Sequence, residues 1–502
     1  MQVGIYKHKL LGNDIEEQSL KIPQLPKRFT APGLPDLNHS QAYAVKTVLQ
    51  KPLSLIQGPP GTGKTMTVAE LIRQAVHHHG MRVLVCAPSN VAVDNILERL
   101  VENSLENKNE ASGKFHRKSK DSLRQPPLRM VRLGNPVRIK PSIVSQSLEA
   151  LVQSSEGTGI IRDVKKELES YLKVVSRGSR KSSKPSLSSS LQRFGQQQQQ
   201  NKTKLDRRAI YQEIKSLRKE VRVREEKVVR ELIQNAHVVL ATTVGADNYV
   251  LDQITHPQSG RSKNANASGF DLVVIDEAAQ ALEASCWIPM LKGRKVVLAG
   301  DHCQLPPTIK SKKHRVVSGL GVTLFERLMT IYKEQEISRM LKIQYRMHHK
   351  IADWASRAMY NGALITHDSV RNRTLGQLCS VRSESFNHLG DTTLLLIDTA
   401  GCDMHEQETL TGSRYNDGEA FLVREHVRKL IIGLGMEQSN VVVISPYNGQ
   451  VELLRTNLLP EFPQVEIRSV DGFQGGEREA VVLSLVRSSE DRKSTRLNSS
   501  HA

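Results

Sequence analysis

Short apolar runs recur along the first part of the chain, and each one ends in a polar or glycine-bearing loop. Their length and continuous hydrophobicity are typical of strands that are buried on both faces of a parallel sheet. A helical pattern over residues 67–77 separates the first two runs, which predicts a βαβ unit. The predicted strands cover residues 53–57, 82–86, 237–241, 271–275 and 295–299.

A second set of apolar runs follows, at residues 394–398, 441–445, 465–469 and 480–486. These runs alternate with helical stretches such as residues 419–432, so they predict a second α/β domain. The fold class predicted from the pattern is therefore α/β, with two domains built on parallel sheets flanked by helices.

The segment between the second and third runs has a different character. Charged helical patterns at 161–175 and 205–235 surround a tract at 176–204 that is rich in Ser, Arg and Gln, which predicts a helical hairpin with a disordered tip. The hairpin either contacts nucleic acid or a partner, or only packs on the neighbouring domain. Its basic face would comprise Arg207, Arg208, Lys215, Arg218, Lys219, Arg222 and Arg224. The basic stretch 114–140 is either a solvated loop or a second polyanion contact.

Composition narrows the class of partner. The 502 residues include 71 Lys and Arg against 52 Asp and Glu, a net charge of +19 that indicates a polyanionic partner. Nucleic acid is favoured over a membrane surface because there is no apolar run of about 18 residues and no leader-like N-terminus. The five cysteines are widely spaced and form no C-x-x-C pair, which favours reduced thiols and a cytoplasmic or nuclear location.

A glycine-rich loop, GPPGTGKT at residues 58–65, joins the first predicted strand to the helix that follows it. The spacing fits G-x-x-x-x-G-K-[ST] in full, so it predicts a cradle for the phosphates of a nucleotide. Backbone amides of this loop would surround a phosphate, Lys64 would reach the β- and γ-oxygens, and the Thr65 hydroxyl would bind Mg²⁺. The cradle residues are Gly58, Gly61, Thr62, Gly63, Lys64 and Thr65.

Two further polar groups follow predicted strands. Asp276 and Glu277 come directly after the strand 271–275, where Asp276 would hold Mg²⁺ and Glu277 would polarise the attacking water. Gln304 lies in the segment GDHCQLPP at 300–307 and would sense the γ-phosphate, although the segment alone is also compatible with an ordinary turn.

Four ordered motifs give the chain a family resemblance: DEAAQ at 276–280, GDHCQLPP at 300–307, QYRMH at 344–348 and VDGFQG at 470–475. They resemble the motifs of superfamily 1 helicases of the up-frameshift-like branch. Within that branch, residues 86–95 and 280–289 most resemble the immunoglobulin-mu-binding-protein-2 helicase, whereas residues 24–29 and 34–57 look closer to the nonsense-mediated-decay helicase. The resemblance implies two RecA-like P-loop domains.

The resemblance also implies roles at the nucleotide. Gln41 would read the adenine edge, Tyr345 would stack on the adenine ring, and Glu477 would bind the ribose or sense the nucleotide state. Arg346 would act as an arginine finger. A surface salt bridge for Arg346 and a core aromatic for Tyr345 remain the alternatives.

Nucleic-acid contacts are implied at three predicted strand ends. Small hydroxyl and amide side chains suit binding of phosphate and sugar along a single strand, although plain strand-terminating turns would look similar. The implied contacts are Pro88, Ser89, Asn90, Thr242, Thr243, Val244, Pro446, Tyr447 and Asn448.

The function implied is an ATP-dependent 5′ to 3′ helicase or translocase on single-stranded RNA or DNA, with ATP hydrolysed between the two domains and Lys64, Glu277, Gln304 and Arg346 as catalytic residues. The ribosome or RNA-processing proteins are further partners that the resemblance implies. The alternative is a truncated nucleic-acid-binding fragment that binds ATP without motor activity. A phosphate-loop kinase is disfavoured because the motifs at 344–348 and 470–475 would then have no role.

The chain departs from the family pattern in two places. Gly476 stands where an arginine is usual, and no further arginine-bearing motif follows residue 487. Residues 491–502 resemble a translated sequencing adapter and are expected to be non-native. The predicted organisation is an accessory remnant at 1–35, a first RecA-like domain at 36–105 and 236–330, an insertion at 106–235, and an incomplete second RecA-like domain at 331–490.

Overall fold

The computed structural model describes residues 10, 36–109, 127–155, 158–179, 193–255, 269–309, 319–332, 336–379 and 387–487. The chain divides into two compact units. The first contains Met1–Ile56, Thr65–Gly300 and Thr308–Arg339, and the second contains Gln57–Lys64, Asp301–Pro307 and Met340–Ala502. Within the described ranges, no helix combines the length and the apolar character needed to cross a membrane.

A seven-stranded sheet forms the centre of the first unit. Its strands lie in the order β3-β4-β2-β5-β6-β1-β7, and the neighbours from β3 through β6 pair in parallel. The strands are β1 (Leu53–Gln57), β2 (Val83–Ala87), β3 (Met130–Arg132), β4 (Val238–Thr242), β5 (Phe270–Ile275), β6 (Gly293–Gly300) and β7 (Ser338–Met340). The five strands predicted for this region are confirmed to within two residues, and β3 and β7 are additional.

The helices of this unit follow from the same hydrophobic pattern. Every residue of β1 and β2 is buried, as their continuous apolar runs predict, and the helices cover the sheet's apolar faces. The helices described are α1 (His39–Gln50), α2 (Lys64–His77), α3 (Asn90–Asn109), α4 (Leu148–Ser154), α5 (Thr158–Ser179), α6 (Arg193–Asn235), α7 (Tyr249–Thr255), α8 (Glu283–Met290) and α9 (Leu324–Ile331).

Helices α5 and α6 form the predicted charged hairpin. Ile161 on α5 and Ile214, Leu217 and Val221 on α6 are buried, and Lys165 bonds Glu225 across the pair at 2.7 Å. Both helices run further into the low-complexity tract than the sequence predicts, and residues 180–192 lie outside the described residues.

The second unit contains a three-stranded parallel sheet with β12 (Val441–Ser445) at its centre, between β13 (Glu466–Ser469) and β14 (Ala480–Leu483). Two small pairs accompany it: β8 (Ile343–Gln344) with β9 (Ile365–Thr366), and β10 (Gln407–Glu408) with β11 (Arg414–Tyr415). The helices are α10 (His349–Met359), α11 (Asp368–Arg371), α12 (Leu375–Leu378), α13 (Asn387–Asp391), α14 (Asp417–Arg428) and α15 (Asn448–Leu458). The α/β class with parallel sheets is confirmed.

The strand predicted at residues 394–398 is wrong. No strand occurs there, and Leu394, Leu395, Leu396 and Ile397 are exposed by 71, 51, 85 and 50%. A continuous apolar run predicts burial, but these side chains face solvent and pack into neither sheet. The helix predicted at 419–432 is present as α14, which continues into one π-helical turn, Lys429–Gly433.

Candidate nucleotide and nucleic-acid sites

The phosphate loop owes its shape to its glycines. Gly61 and Gly63 both have φ +74°, a left-handed conformation that side chains with a Cβ rarely adopt. A Cβ on Gly58 would lie 2.6 Å from the Cβ of Lys64, so this glycine lets the lysine cross the loop. The Thr62 hydroxyl donates to the Pro59 carbonyl at 2.7 Å, and the Lys64 ammonium nitrogen is buried. The geometry is that of a backbone cradle for an anion.

Within the second unit, this loop contacts the segment 344–347. The amide of Tyr345 donates to the Gly61 carbonyl at 2.8 Å, and a Cβ on Gly61 would lie only 2.6 Å from the Cβ of Arg346. Gln344, which is fully buried, shapes the segment because its Oε1 accepts from the amides of Arg346 and Met347 at 2.8 and 2.7 Å. The arginine predicted as a finger is therefore held against the phosphate loop.

Arg346 and Tyr345 already have partners in this state. The Arg346 guanidinium bonds the Glu477 carboxylate at 2.6 Å, and both side chains are well exposed. The Tyr345 ring lies 4.6 Å from the ring of His367 and is 38% exposed. The acid predicted to contact the ribose is thus the partner of the predicted arginine finger.

Asp301 is the centre of a buried hydrogen-bond network that includes Gln304. Its Oδ2 accepts from Gln304 Nε2 at 2.9 Å and from the Tyr360 hydroxyl at 2.6 Å, and its Oδ1 accepts from Gln57 Nε2 at 3.4 Å. Burial and the charge of Asp301 raise the pKa of Tyr360 and raise that of Cys303 to about 11, so both remain protonated. Through these bonds Asp301 orients Gln304, and its carboxylate also lies within 4.8 Å of the ligand atoms of His302 and Cys303.

Asp276 and Glu277 lie in the first unit, at the carboxyl end of β5. Asp276 is 2% exposed, and its Oδ1 accepts from the Glu277 amide at 2.9 Å. Glu277 has φ +52°, an uncommon backbone conformation for a non-glycine residue that often marks functional sites. Gln280 Nε2 donates to Glu277 Oε2 at 2.7 Å and so fixes the direction of the carboxylate.

Two residues could supply oxygen ligands to a metal ion. Thr65, the second residue of α2, offers a hydroxyl oxygen, and Asp276 offers a carboxylate oxygen. Hard oxygen ligands of this kind fit Mg²⁺.

Gln41 has a structural role that the sequence did not indicate. It is the third residue of α1, it is 1% exposed, and its Oε1 accepts from the Asn38 amide at 2.9 Å while its own amide donates to Asn38 Oδ1. This reciprocal pair is a capping box, which starts α1. A role in reading adenine stays a prediction.

Two of the predicted nucleic-acid loops meet at one edge of the first unit's sheet, because β2 and β4 are neighbours. The Thr243 amide donates to the Ala87 carbonyl at 2.9 Å, which joins the loop after β4 to the end of β2. Ser89 is exposed and Pro88, Asn90 and Thr242 are half-buried, but the Thr243 side chain is 2% exposed and is not presented. Val244 is 64% exposed.

The hydroxyl groups of these loops share one bonding pattern. Ser89 Oγ accepts from the Ala92 amide at 3.1 Å, and Thr242 Oγ1 accepts from the Gly245 amide at 3.0 Å. Each hydroxyl oxygen accepts a hydrogen bond from a backbone amide, so the hydroxyl proton can point outward as a donor. A surface of donors suits phosphate and sugar oxygens.

The third loop lies in the second unit, after β12. Pro446 and Asn448 are exposed, and Tyr447 is half-buried. Arg487 donates to the Tyr447 side chain, which raises the pKa of Arg487, and also bonds Glu406 at 2.9 Å. Sequence reasoning did not single out Arg487, because its contacts come from residues far along the chain.

Comparison with protein families shows where the chain belongs. A model described as "AAA domain" matches residues 36–312, and a second model with the same description matches residues 320–501. The chain belongs to the AAA-domain family. The AAA-domain models cover every motif named above, and the resemblance to superfamily 1 helicases is confirmed.

Similar proteins come from several eukaryotes. "DNA-binding protein SMUBP-2" of Mesocricetus auratus is 41% identical over 95% of this chain and 42% of its own length. "DNA polymerase alpha-associated DNA helicase A" of Saccharomyces cerevisiae is 35% identical over 91% of this chain and 61% of its own length. A "Regulator of nonsense transcripts 1 homolog" of Arabidopsis thaliana is 33% identical over 97% of this chain and 33% of its own length. The chain thus spans less than half of SMUBP-2.

Gly476, the departure from the family pattern, lies in a filled space. A Cβ at this position would lie 2.7 Å from the Phe473 ring, and the Gly476 amide donates to the Phe473 carbonyl at 2.8 Å. A larger residue at this position would require the Phe473 ring to move.

Proposed function

We propose that this chain is an ATP-dependent helicase or translocase that moves 5′ to 3′ on single-stranded RNA or DNA. The observation that carries the proposal is the contact of Tyr345 and Arg346 with Gly61 in the phosphate loop. An arginine at a phosphate loop stabilises the charge that develops on the transferring phosphoryl group, which contributes about 10³–10⁵ in rate in related chemistry.

Each residue has a role in this reaction. Lys64 and the loop amides neutralise the phosphates, and Thr65 and Asp276 would hold Mg²⁺, which when bound shields the β- and γ-oxygens. Glu277, oriented by Gln280, accepts the proton of the attacking water. Gln304 senses the γ-phosphate, and Arg346 turns from Glu477 to the transferring group. Gln41 and Tyr345 bind the adenine.

The nucleic acid would bind the donor groups at the strand ends. In the first unit these are Ser89, Asn90 and Thr242, and in the second unit they are Tyr447 and Asn448. Backbone binding of this kind accepts any base, which is what movement along a strand requires. The net charge of +19 favours the same polyanion.

Glu277→Gln tests the assignment. The substitution keeps the size and the acceptor for Gln280 but removes the base, so we expect ATP binding to persist and strand-stimulated hydrolysis to fall by about 10²–10⁴-fold. Glu102→Gln, an exposed change on α3, is the matched control and should leave hydrolysis unchanged. The readouts are phosphate release with and without single-stranded oligonucleotide, and binding of a fluorescent ATP analogue.

Duplexes with a single-stranded tail test polarity and substrate. Each is made with a 5′ or a 3′ tail, in RNA and in DNA, and displacement of the shorter strand is followed. Displacement from 5′-tailed duplexes is expected. Binding of ATP and oligonucleotide without stimulated hydrolysis would instead identify a binding fragment, and displacement only from 3′-tailed duplexes would overturn the polarity.

A further inference from the structure

A fully buried arginine lies behind one of the proposed nucleic-acid loops. Arg132, the last residue of β3, is 0% exposed and has three recorded acceptors. Its Nε donates to Asp94 Oδ1 at 3.0 Å, one terminal nitrogen donates to the Leu133 carbonyl, and the other donates to Asn90 Oδ1 at 2.8 Å. Asp94 Oδ2 in turn accepts from the Lys140 amide at 3.2 Å. The network fixes the start of α3 to the edge of the sheet.

The contact decides which way the Asn90 amide faces. A guanidinium has only donors, so the Asn90 atom that faces it must be the carbonyl oxygen. The amide nitrogen, with two hydrogens, must therefore point away from Arg132. Asn90 is half-buried, and the neighbouring Ser89 is exposed with its own hydroxyl proton free to point outward.

We propose that Arg132 is a positioning residue for single-strand binding, which fixes the Asn90 amide so that it donates to a phosphate or sugar oxygen. The inference rests on the proposed function, because it requires that the chain binds nucleic acid at this loop. Without the arginine, the amide of an asparagine can turn over and present its oxygen, which repels a phosphate. Arg132 itself has no contact with the strand.

Burial makes this arrangement rigid. The ion pair between Arg132 and Asp94 is closed to solvent, and removing one partner of such a pair leaves an uncompensated charge. Lysine keeps the charge, but its three N–H donors share one nitrogen, so they cannot reach the separate acceptors on Asp94, Leu133 and Asn90 as the planar guanidinium does. Arg132→Lys therefore keeps the buried positive charge beside Asp94 but removes the hydrogen bond that orients the Asn90 amide.

The experiment is a double-mutant cycle on single-strand affinity. Binding of a fluorescent oligonucleotide to the full chain is measured for the wild type, Asn90→Ala, Arg132→Lys and the double variant. We expect each single change to weaken binding by about 5- to 10-fold, the effect of one lost hydrogen bond, and the double variant to be no weaker than Asn90→Ala. Asn95→Ala, on the same helix, is the matched control and should bind like the wild type.

Asn90→Asp extends the test without touching the buried pair. The carboxylate keeps the acceptor for Arg132 but replaces the outward donor by a second oxygen, so binding should be weaker than with Asn90→Ala, most of all at low salt. Thermal unfolding of each variant separates lost folding from lost affinity.

Three outcomes would overturn the inference: additive effects in the double variant, Arg132→Lys that binds like the wild type, or Asn90→Asp that binds like the wild type. Loss of folding in Arg132→Lys leaves the Asn90→Asp result to decide. Failure of the wild type to bind any single strand would overturn the proposed function instead, which is a different result from normal binding without coupling.

Discussion

At the scale of single residues, Gly61 carries the strongest constraint. Its φ of +74° and its contact with Arg346 both exclude a side chain. The conformation alone costs a non-glycine residue about 1 kcal/mol, whereas the missing space would also displace the arginine.

Gly61→Ala should therefore abolish stimulated ATP hydrolysis. Gly80→Ala is the matched control, because Gly80 also has a positive φ of +59° but nothing lies within 4 Å of its Cβ position. We expect the control to lose a little stability and to keep its activity. Equal losses of activity in the two variants, measured by phosphate release, would show that strain and not the contact matters.

Glu70 is a buried carboxylate that the proposed reaction does not use. It is 3% exposed on α2, and burial raises its pKa, which a hydrogen bond from Gln74 and the charge of Arg73 only partly oppose. A carboxyl whose folded pKa is raised stabilises the fold below its unfolded pKa, near 4.5, and loses that contribution as the pH rises through the folded value.

Glu70→Gln removes the charge and with it the free-energy cost of burying a carboxylate at high pH. The amide oxygen of the glutamine still accepts the hydrogen bond from Gln74. The variant should unfold at a higher denaturant concentration than the wild type at pH 8, and the difference should shrink towards pH 5. Urea unfolding at several pH values measures it. A difference that does not change with pH would show that Glu70 is not the titrating group.

At the scale of secondary-structure elements, helix α6 presents an uneven charge distribution. Lys215, Arg218 and Lys219 lie on its exposed face, opposite the buried Ile214 and Leu217, and no ion pair is recorded for them among the described residues. Three other cations of the hairpin are paired with acids: Lys165 with Glu225, Arg224 with Glu220, and Lys227 with Glu231.

Neutralising the unpaired set should weaken binding of single strands. The triple change of Lys215, Arg218 and Lys219 to Gln removes three candidate phosphate contacts, so the slope of log K against log salt should fall by about 2. The same change at Lys165, Arg224 and Lys227 removes equal charge from paired positions and is the control. Equal slopes for the two variants would show that only net charge counts.

The same elements show what sequence alone could predict. Strands β1 and β12 were predicted residue by residue because continuous apolar runs correspond to complete burial. Strand β3 gave no such signal, since it is short and ends in Arg132, whose burial depends on Asp94. The apolar run at 394–398 led to a strand prediction where none forms, because an apolar run becomes a buried strand only where the fold provides other side chains to pack against it.

The candidate site divides in the same way. Lys64, Thr65, Asp276 and Glu277 follow from local motifs whose spacing encodes their chemistry. The support around them depends on contacts between residues far apart in the chain. Tyr360 reaches Asp301 and Arg487 reaches Tyr447, and neither contact leaves a local pattern.

At the scale of the whole molecule, each unit has a hydrophobic core of its own. Leu298 is fully buried in the core of the first unit, and Leu454 is fully buried in that of the second. Leu298→Ala and Leu454→Ala should each cost about 2–5 kcal/mol, because each leaves a cavity in a packed interior.

Each cavity should affect its own unit. Limited proteolysis during heating, with the fragments identified by mass spectrometry, should show earlier cleavage of the first unit in Leu298→Ala and of the second in Leu454→Ala. Both variants opening the same unit first would contradict the division into separately packed cores.

The exposed run from Leu394 to Ile397 has a practical consequence for work with the protein. Four adjacent apolar side chains exposed to solvent form an aggregation-prone segment, through which molecules associate at high protein concentration. The large positive charge keeps copies apart by repulsion at low ionic strength, but added salt screens that repulsion. High salt, which is the usual way to strip nucleic acid from a basic protein during purification, therefore also favours its precipitation.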